Sequence, residues 1–353
     1  MLRRILLAGV LVVSACAPVH AEPGLDYLGQ RQVAPGATLD GTVIGGLSGI
    51  SYDPAADLYY VISDDRSAKN PARFYTARIT LSDNGIGDVE FVGTHPWLDR
   101  GGQPFAPLNI DTQPPVVPPD PEAIAFDTRR QRLYWTSEGE RRVEGPGAPV
   151  LLDPWVRTAG LDGAFLGEFA LPEGFRMSAD EHGPRRNSTL EGLTLTPDGR
   201  YLWAAMEGPG YDDGPPPDAQ RGALTRIVRL DAESGVLDGQ YTYPLDPVSA
   251  GPGGDNGLSD LVALDDNSFL VIERGFGTHV AVRIYRASLA EGSTELRKTL
   301  LADLTAMPGL SPLDNIEGIT LGPKLPDGRQ SVIAVSDDNF SPTQVTQFLL
   351  FAL

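Results

Sequence analysis

The chain is short of cysteine, of basic residues and of long apolar runs, and each shortage removes a class of function. Cys16 is the only cysteine in 353 residues. A disulfide framework, a thiolate zinc site and a cysteine nucleophile are therefore excluded from everything that follows it. Lys and Arg total 28 against 47 Asp and Glu, a formal charge of −19. A chain this acidic repels phosphate backbones and anionic lipid, which argues against nucleic acid and against attachment through basic patches. The apolar run from Ile5 to about Val13 is too short to span a bilayer. Turn formers are abundant instead: 40 Gly and 31 Pro are interleaved with apolar segments. That pattern fits neither a helical bundle nor a disordered chain.

The apolar run follows Arg3 and Arg4 and reads as an export signal. Two processing sites compete. Val19, His20 and Ala21 suit a general signal peptidase cutting before Glu22. Val13, Ser14, Ala15 and Cys16 form a lipobox-like sequence, in which Cys16 would carry a lipid anchor. Export to the periplasm, to the outer membrane as a lipoprotein, or out of the cell is expected on either reading.

One pattern then recurs: a polar or acidic residue, an alternating apolar run, a turn, and a second apolar run that ends in Asp or Glu. The copies are SGISYDPAADLYYVISDD from Ser48, EAIAFDTRRQRLYWTSEG from Glu122, EGLTLTPDGRYLWAAMEG from Glu191, DLVALDDNSFLVIERG from Asp260 and EGITLGPKLPDGRQSVIAVSDD from Glu317. Period-two alternation, β-branched and aromatic residues, and Asp-Gly turns are strand and hairpin chemistry. Two further strands follow each of the first four pairs. The fifth copy is one strand short, and the stretch from Tyr27 to Val33 can supply it. The expected fold is all-β, a β-propeller of four-stranded blades closed by the N-terminal strand, with five repeats counted and six blades as the alternative. The organisation is then residues 1–21 as signal peptide, or a lipoprotein signal ending before Cys16, followed by one propeller domain over 22–353.

In such a ring the entry to each first strand and the exit from each second strand open on one face. Ser48, Glu122, Glu191, Asp260 and Glu317 should therefore surround one channel mouth, with Asp64, Glu138, Glu207, Glu273 and Asp337 beside them. Asp65 and Asp338 extend the second column. So many carboxylates in a partly dehydrated site must be wet, protonated, paired with arginine or filled by a cation. Oxygen-only ligands in irregular loops favour calcium. The alternative is that the first column ties neighbouring blades together through hydrogen bonds. Nearby bases are Arg66, Lys69, Arg141, Arg142, Arg185, Arg186 and Arg274. Arg66 and Arg274 directly follow the acidic column and could hold an anion, or simply balance charge. His182 and His279 are loop histidines, and His95 beside Pro96 and Trp97 reads as structural. Ser48 in Gly-Gly-Leu-Ser-Gly lacks the spacing of a nucleophile elbow.

The segments DPEAIAF with LYWTSEGE, STLEGLTLTPDGRYLWAAMEG, and DNIEGITL with SVIAVSDDNF resemble the phytase-like family of exported bacterial proteins, described by an esterase-like activity of the phytase type. The resemblance runs from about Gly45 to Leu353. More distantly, the stretch from Glu122 to Glu138 is similar to the β-propeller phytases, in which channel-mouth carboxylates hold calcium ions that bind and polarise a substrate phosphate. The resemblance implies Glu122, Glu138, Glu191, Glu207, Asp260, Glu273, Glu317 and Asp337 as metal ligands. Glu138 or Glu207 would orient water, and Arg66 or Arg274 would hold the anion. Without a dense Lys and Arg cluster, a hexakisphosphate substrate is not expected. Two functions follow. One is a metal-dependent hydrolase of a small phosphate or carboxylic ester; the other is a non-catalytic propeller that binds a ligand or protein, with a structural calcium site.

Overall fold

The computed structural model describes residues 24–353 except Asn84 and Pro146. The proposed signal segment and Cys16 lie outside the described residues. The chain forms five four-stranded antiparallel sheets, each ordered from the channel outward. Blade 1 contains Leu47–Asp53, Leu58–Ser63, Arg73–Ser82 and Gly85–Pro96. Blade 2 contains Pro121–Asp127, Arg132–Ser137, Trp155–Ala159 and Phe165–Glu168. Blade 3 contains Leu190–Leu195, Tyr201–Met206, Ala223–Asp231 and Leu237–Leu245. Blade 4 contains Gly257–Ala263, Ser268–Phe276, Val280–Ser288 and Arg297–Asp303.

Blade 5 takes Ile316–Lys324, Gln330–Ser336 and Gln347–Ala352 from the end of the chain. Its outer strand is Asp26–Gln32, paired antiparallel from Asp26 with Ala352 to Gln32 with Gln347. The five innermost strands pack in a closed cycle, blade 5 against blade 1. The fold is thus a five-bladed propeller, and the six-bladed alternative falls away. Among the described residues no helix is long and apolar enough to cross a membrane.

The reason the second strand of each repeat is apolar throughout is visible in blade 1. Tyr59 and Val61 face blade 5, where they meet Ile333, Val335 and Phe348. Their neighbours Tyr60 and Ile62 face blade 2, where they meet Ile124, Phe126 and Trp135. Successive side chains point to opposite faces of a strand, and here both faces are buried. Five apolar clusters result, one between each pair of adjacent blades. Trp97 of blade 1 stacks on Trp135 of blade 2 with centroids 4.5 Å apart and planes 5° apart. His95 stacks on Phe74 at 4.9 Å, which confirms its structural reading.

Candidate functional site at the channel mouth

Each innermost strand begins with a β-bulge. The pairing shifts between Leu47 and Gly49, Pro121 and Ile124, Leu190 and Gly192, Leu258 and Asp260, and Ile316 and Gly318. The extra residue is Ser48, Glu191, Ser259 and Glu317 in four blades, and falls at Glu122 and Ala123 in blade 2. A bulge twists the strand and re-aims its side chain, and the bulged Glu122 and Glu191 meet in one carboxylate group. A second tier comes from the residue just past each second strand. Its backbone amide reaches back to the innermost segment, from Asp64 to Gly46, Glu138 to Asp120, Glu207 to Thr189 and Asp337 to Asn315. In blade 4 the equivalent pairing joins Arg274 to Gly257.

Blade 4 therefore sits one residue away from the alignment read in the sequence. Ser259 and Arg274, not Asp260 and Glu273, occupy the two tiers. Asp260 lies where three other blades have Gly49, Gly192 and Gly318. Its carboxylate accepts the amides of Leu193 in blade 3 at 3.3 Å and of Ile319 in blade 5 at 2.9 Å. Glu273 turns outward to the Tyr243 hydroxyl, the Asn256 amide and the Lys298 ammonium. Ser48 donates to the Glu122 carbonyl at 2.7 Å. Ser48 and Asp260 thus link adjacent blades, the alternative recognised for that column.

Of the remaining predicted ligands, Glu122, Glu138 and Glu191 lie together, with Asp64 and Asp120 beside them. Asp64, Asp120 and Glu122 place carboxylate oxygens within 4.8 Å of one another, and so do Glu122, Glu138 and Glu191. Glu122 belongs to both groups. Burial, followed by repulsion from the neighbouring acids, drives Asp64, Glu122 and Glu191 well above the usual carboxylate range. Glu138 and Asp337 are displaced the same way, burial again leading. Asp64 Oδ1 is buried without a hydrogen-bond partner among the described residues. Asp120 escaped the sequence reading, although it sits in the DPEAIAF segment two residues before Glu122. Only the repeat register reveals it, because its counterparts are Gly46, Thr189, Gly257 and Asn315.

Two arginines compensate part of this charge. Arg66 contacts Asp120 at 3.3 Å and Glu140 at 2.7 Å. Burial would raise Glu140, but Arg66 and Arg186 hold it below its ordinary value. Arg274 contacts Glu317 at 2.9 Å and Glu207 at 3.5 Å, with side-chain exposures of 12%, 7% and 14% for the three. Burial lifts Glu207 to about 7 against the opposing pull of Arg274, with Asp255 and Glu317 adding to the lift. Beside this pair opens a cavity of about 200 Å³, lined by Arg185, Ser188, Glu207, Asp255, Asn256 and Arg274 among others. Arg274 Nε is buried without a hydrogen-bond partner among the described residues. Ser188, Asp255 and Asn256 carried no periodic signal in the sequence, because loops bring them there.

The other predicted bases serve loops. Arg141 donates to the carbonyls of Ser178, Ala179 and Asp180, and Arg185 to those of Pro209 and Gly214. Arg142 donates to the Glu144 carbonyl. Exposed His182 pairs with Asp212 at 2.9 Å. His279 lies beside Thr278 at 3.3 Å.

The donor set fits a hard divalent cation. It is all carboxylate, it is crowded, and it retains an orphaned oxygen at Asp64. Two guanidinium groups do not offset Asp64, Asp120, Glu122, Glu138, Glu191, Glu207, Glu317 and Asp337 together.

Comparison with known proteins gives the following. A periplasmic gluconolactonase of Pseudomonas aeruginosa is 14% identical, over 94% of this chain and 99% of its own, with a TM-score of 0.40. A gluconolactonase of Xanthomonas campestris is 12% identical over 95% and 98%, TM-score 0.37. The GH43 protein BlXynB of Bacillus licheniformis is 11% identical over 86% of this chain and 52% of its own, TM-score 0.47, so the chain spans about half its length. No curated protein matches. Residues 42–340 match the model of the phytase-like family, described as esterase-like activity of phytase, and the chain belongs to that family.

Proposed function

We propose that the chain is an exported hydrolase of a small phosphate or carboxylic ester, working with calcium held at the channel mouth by Asp64, Asp120, Glu122, Glu138 and Glu191. The observation that carries this reading is the pair of carboxylate groups sharing Glu122, with oxygens within 4.8 Å. Family membership supports the ester chemistry. Bound there, the ion would supply Lewis-acid polarisation of an ester oxygen.

The chain's own residues divide the remaining tasks. Glu207 faces the cavity and accepts the proton of an attacking water at one carboxylate oxygen; an acidity near neutrality suits a general base. Arg274 lines the same cavity and holds the anionic oxygen of the substrate through its guanidinium. Arg66, between Asp120 and Glu140, balances the far side of the cluster. Glu138 stays with the metal ligands, since its oxygen also accepts the Thr189 amide. Asp260 and Glu273 support the blades rather than the ion.

The test is turnover of 4-nitrophenyl phosphate and 4-nitrophenyl acetate with and without chelator. Hydrolysis of one of them, lost on chelation and restored by calcium, is expected. Absence of turnover together with thermal stability lost on chelation would replace this reading by a binding propeller with a structural ion.

A further inference from the structure

A second cavity, of about 420 Å³, opens between the loops of blades 5 and 1 on the same face as the carboxylates. Its wall is largely apolar, with Val33, Ile44, Phe340, Pro342 and Val345. Lys69 lies on that wall with its ammonium 5.2 Å from the centroid of the Phe340 ring. Among the described residues no carboxylate pairs with Lys69, whereas Arg66, Arg73, Arg274 and Lys298 all have carboxylate partners. The one acid on the wall, Asp338, is turned to donors other than Lys69. It accepts the amides of Gly46 at 2.8 Å and Phe340 at 3.0 Å, and the Thr346 hydroxyl at 3.0 Å.

The wall is also strained. Phe340 has φ of 49°, left-handed, next to Asn339 at 47°, a residue type that takes this region readily. A bulky residue there is unfavourable, by roughly 1–3 kcal/mol per residue, and such strain gathers at ligand clamps. The Phe340 ring sits on Gly45 and Gly46. A Cβ on Gly46 would lie 2.6 Å from the ring and one on Gly45 3.0 Å. Two consecutive glycines therefore make the seat that holds this aromatic face. Gly46 also accepts the Asp64 amide through its carbonyl, so one peptide segment joins the cavity wall to the carboxylate cluster.

We propose that this cavity is a subsite for a ring-sized apolar group bearing a negative charge, with Phe340, Pro342 and Val345 as its apolar wall and Lys69 as its charge reader. It rests on the hydrolase reading in one respect, that the occupant is the non-reacting part of the ester substrate. The volume suits a small ligand's ring, and an ammonium without a carboxylate partner selects an anion over a neutral isostere.

Calorimetric titration with benzoate and with benzamide separates these roles without requiring turnover. The wild type should bind benzoate more tightly than benzamide. Lys69→Met should weaken benzoate about tenfold and leave benzamide unchanged, while Phe340→Ala should weaken both. Arg274→Met, which removes anion binding in the reaction cavity, should leave a Lys69-dependent share of benzoate binding in place. Equal affinity for the two ligands, no heat with either, or benzoate binding lost in Arg274→Met and kept in Lys69→Met would overturn the proposal. Failure of the hydrolase reading shows differently, as absent ester turnover with Lys69-dependent benzoate binding intact.

Discussion

Arg274 donates to Glu317 at 2.9 Å from the position that carries a carboxylate in each of the other four blades. A single cationic member thus interrupts a ring of acids, and in the proposed mechanism a substrate anion is held in that sector. Burial alone would lower its pKa, but Glu317, Glu207 and Glu191 more than reverse that, and the guanidinium stays charged. Arg274→Met should reduce kcat/KM for an anionic ester by about a hundredfold, or ~2.7 kcal/mol. The check is the ratio of that loss to the loss for a neutral ester, which should be smaller.

Glu207→Gln keeps the shape of the cavity and removes the base. Turnover should fall by about 10²–10⁴-fold, while the melting temperature stays level or rises because one buried negative charge is gone. Steady-state kinetics and a thermal melt on the same preparation read both effects.

Metal-free protein should lose stability as pH rises. Asp64, Glu122, Glu138, Glu191 and Asp337 are all displaced upward, chiefly by burial. Each then binds its proton more tightly folded than unfolded, so unfolding releases protons and becomes easier with increasing pH. The contribution is fully present below the ordinary carboxylate values of 3.8 and 4.5 and disappears as pH rises through the raised values, about 7 for Glu207. Denaturant melts from pH 4 to 8 should show that decline with chelator and a much flatter profile with calcium.

Asp260→Ala separates blade linkage from ion binding. It leaves the Leu193 and Ile319 amides without their side-chain acceptor, which costs about 1–3 kcal/mol for each buried group left unpaired. Urea unfolding should report that loss, whereas calcium affinity should hold at the wild-type value.

The blades were readable in the sequence because both faces of the second strand are buried, so runs such as LYYVIS and RLYWTS stand out from any alternation. Ring closure was readable from one missing strand and one spare strand. The site was readable only in part. An acid recurring once per repeat marks Glu122, Glu191 and Glu317, but a β-bulge has no compositional signature, so the fourth repeat aligned on Asp260 instead of Ser259. That single residue exchanged Glu273 for Arg274 and concealed the cationic position. Asp120 and the loop residues Ser188 and Asp255 were hidden for a related reason: proximity across blades leaves no periodic trace.

Calcium titration of chelator-stripped protein, run in parallel on wild type and Glu122→Gln, bears most directly on the carboxylate cluster as a functional metal site. The account predicts saturable calcium binding to the wild type, lost in the variant by at least tenfold in affinity, with ester turnover falling in step. Equal binding by both proteins, or turnover unaffected while calcium is absent, would contradict it.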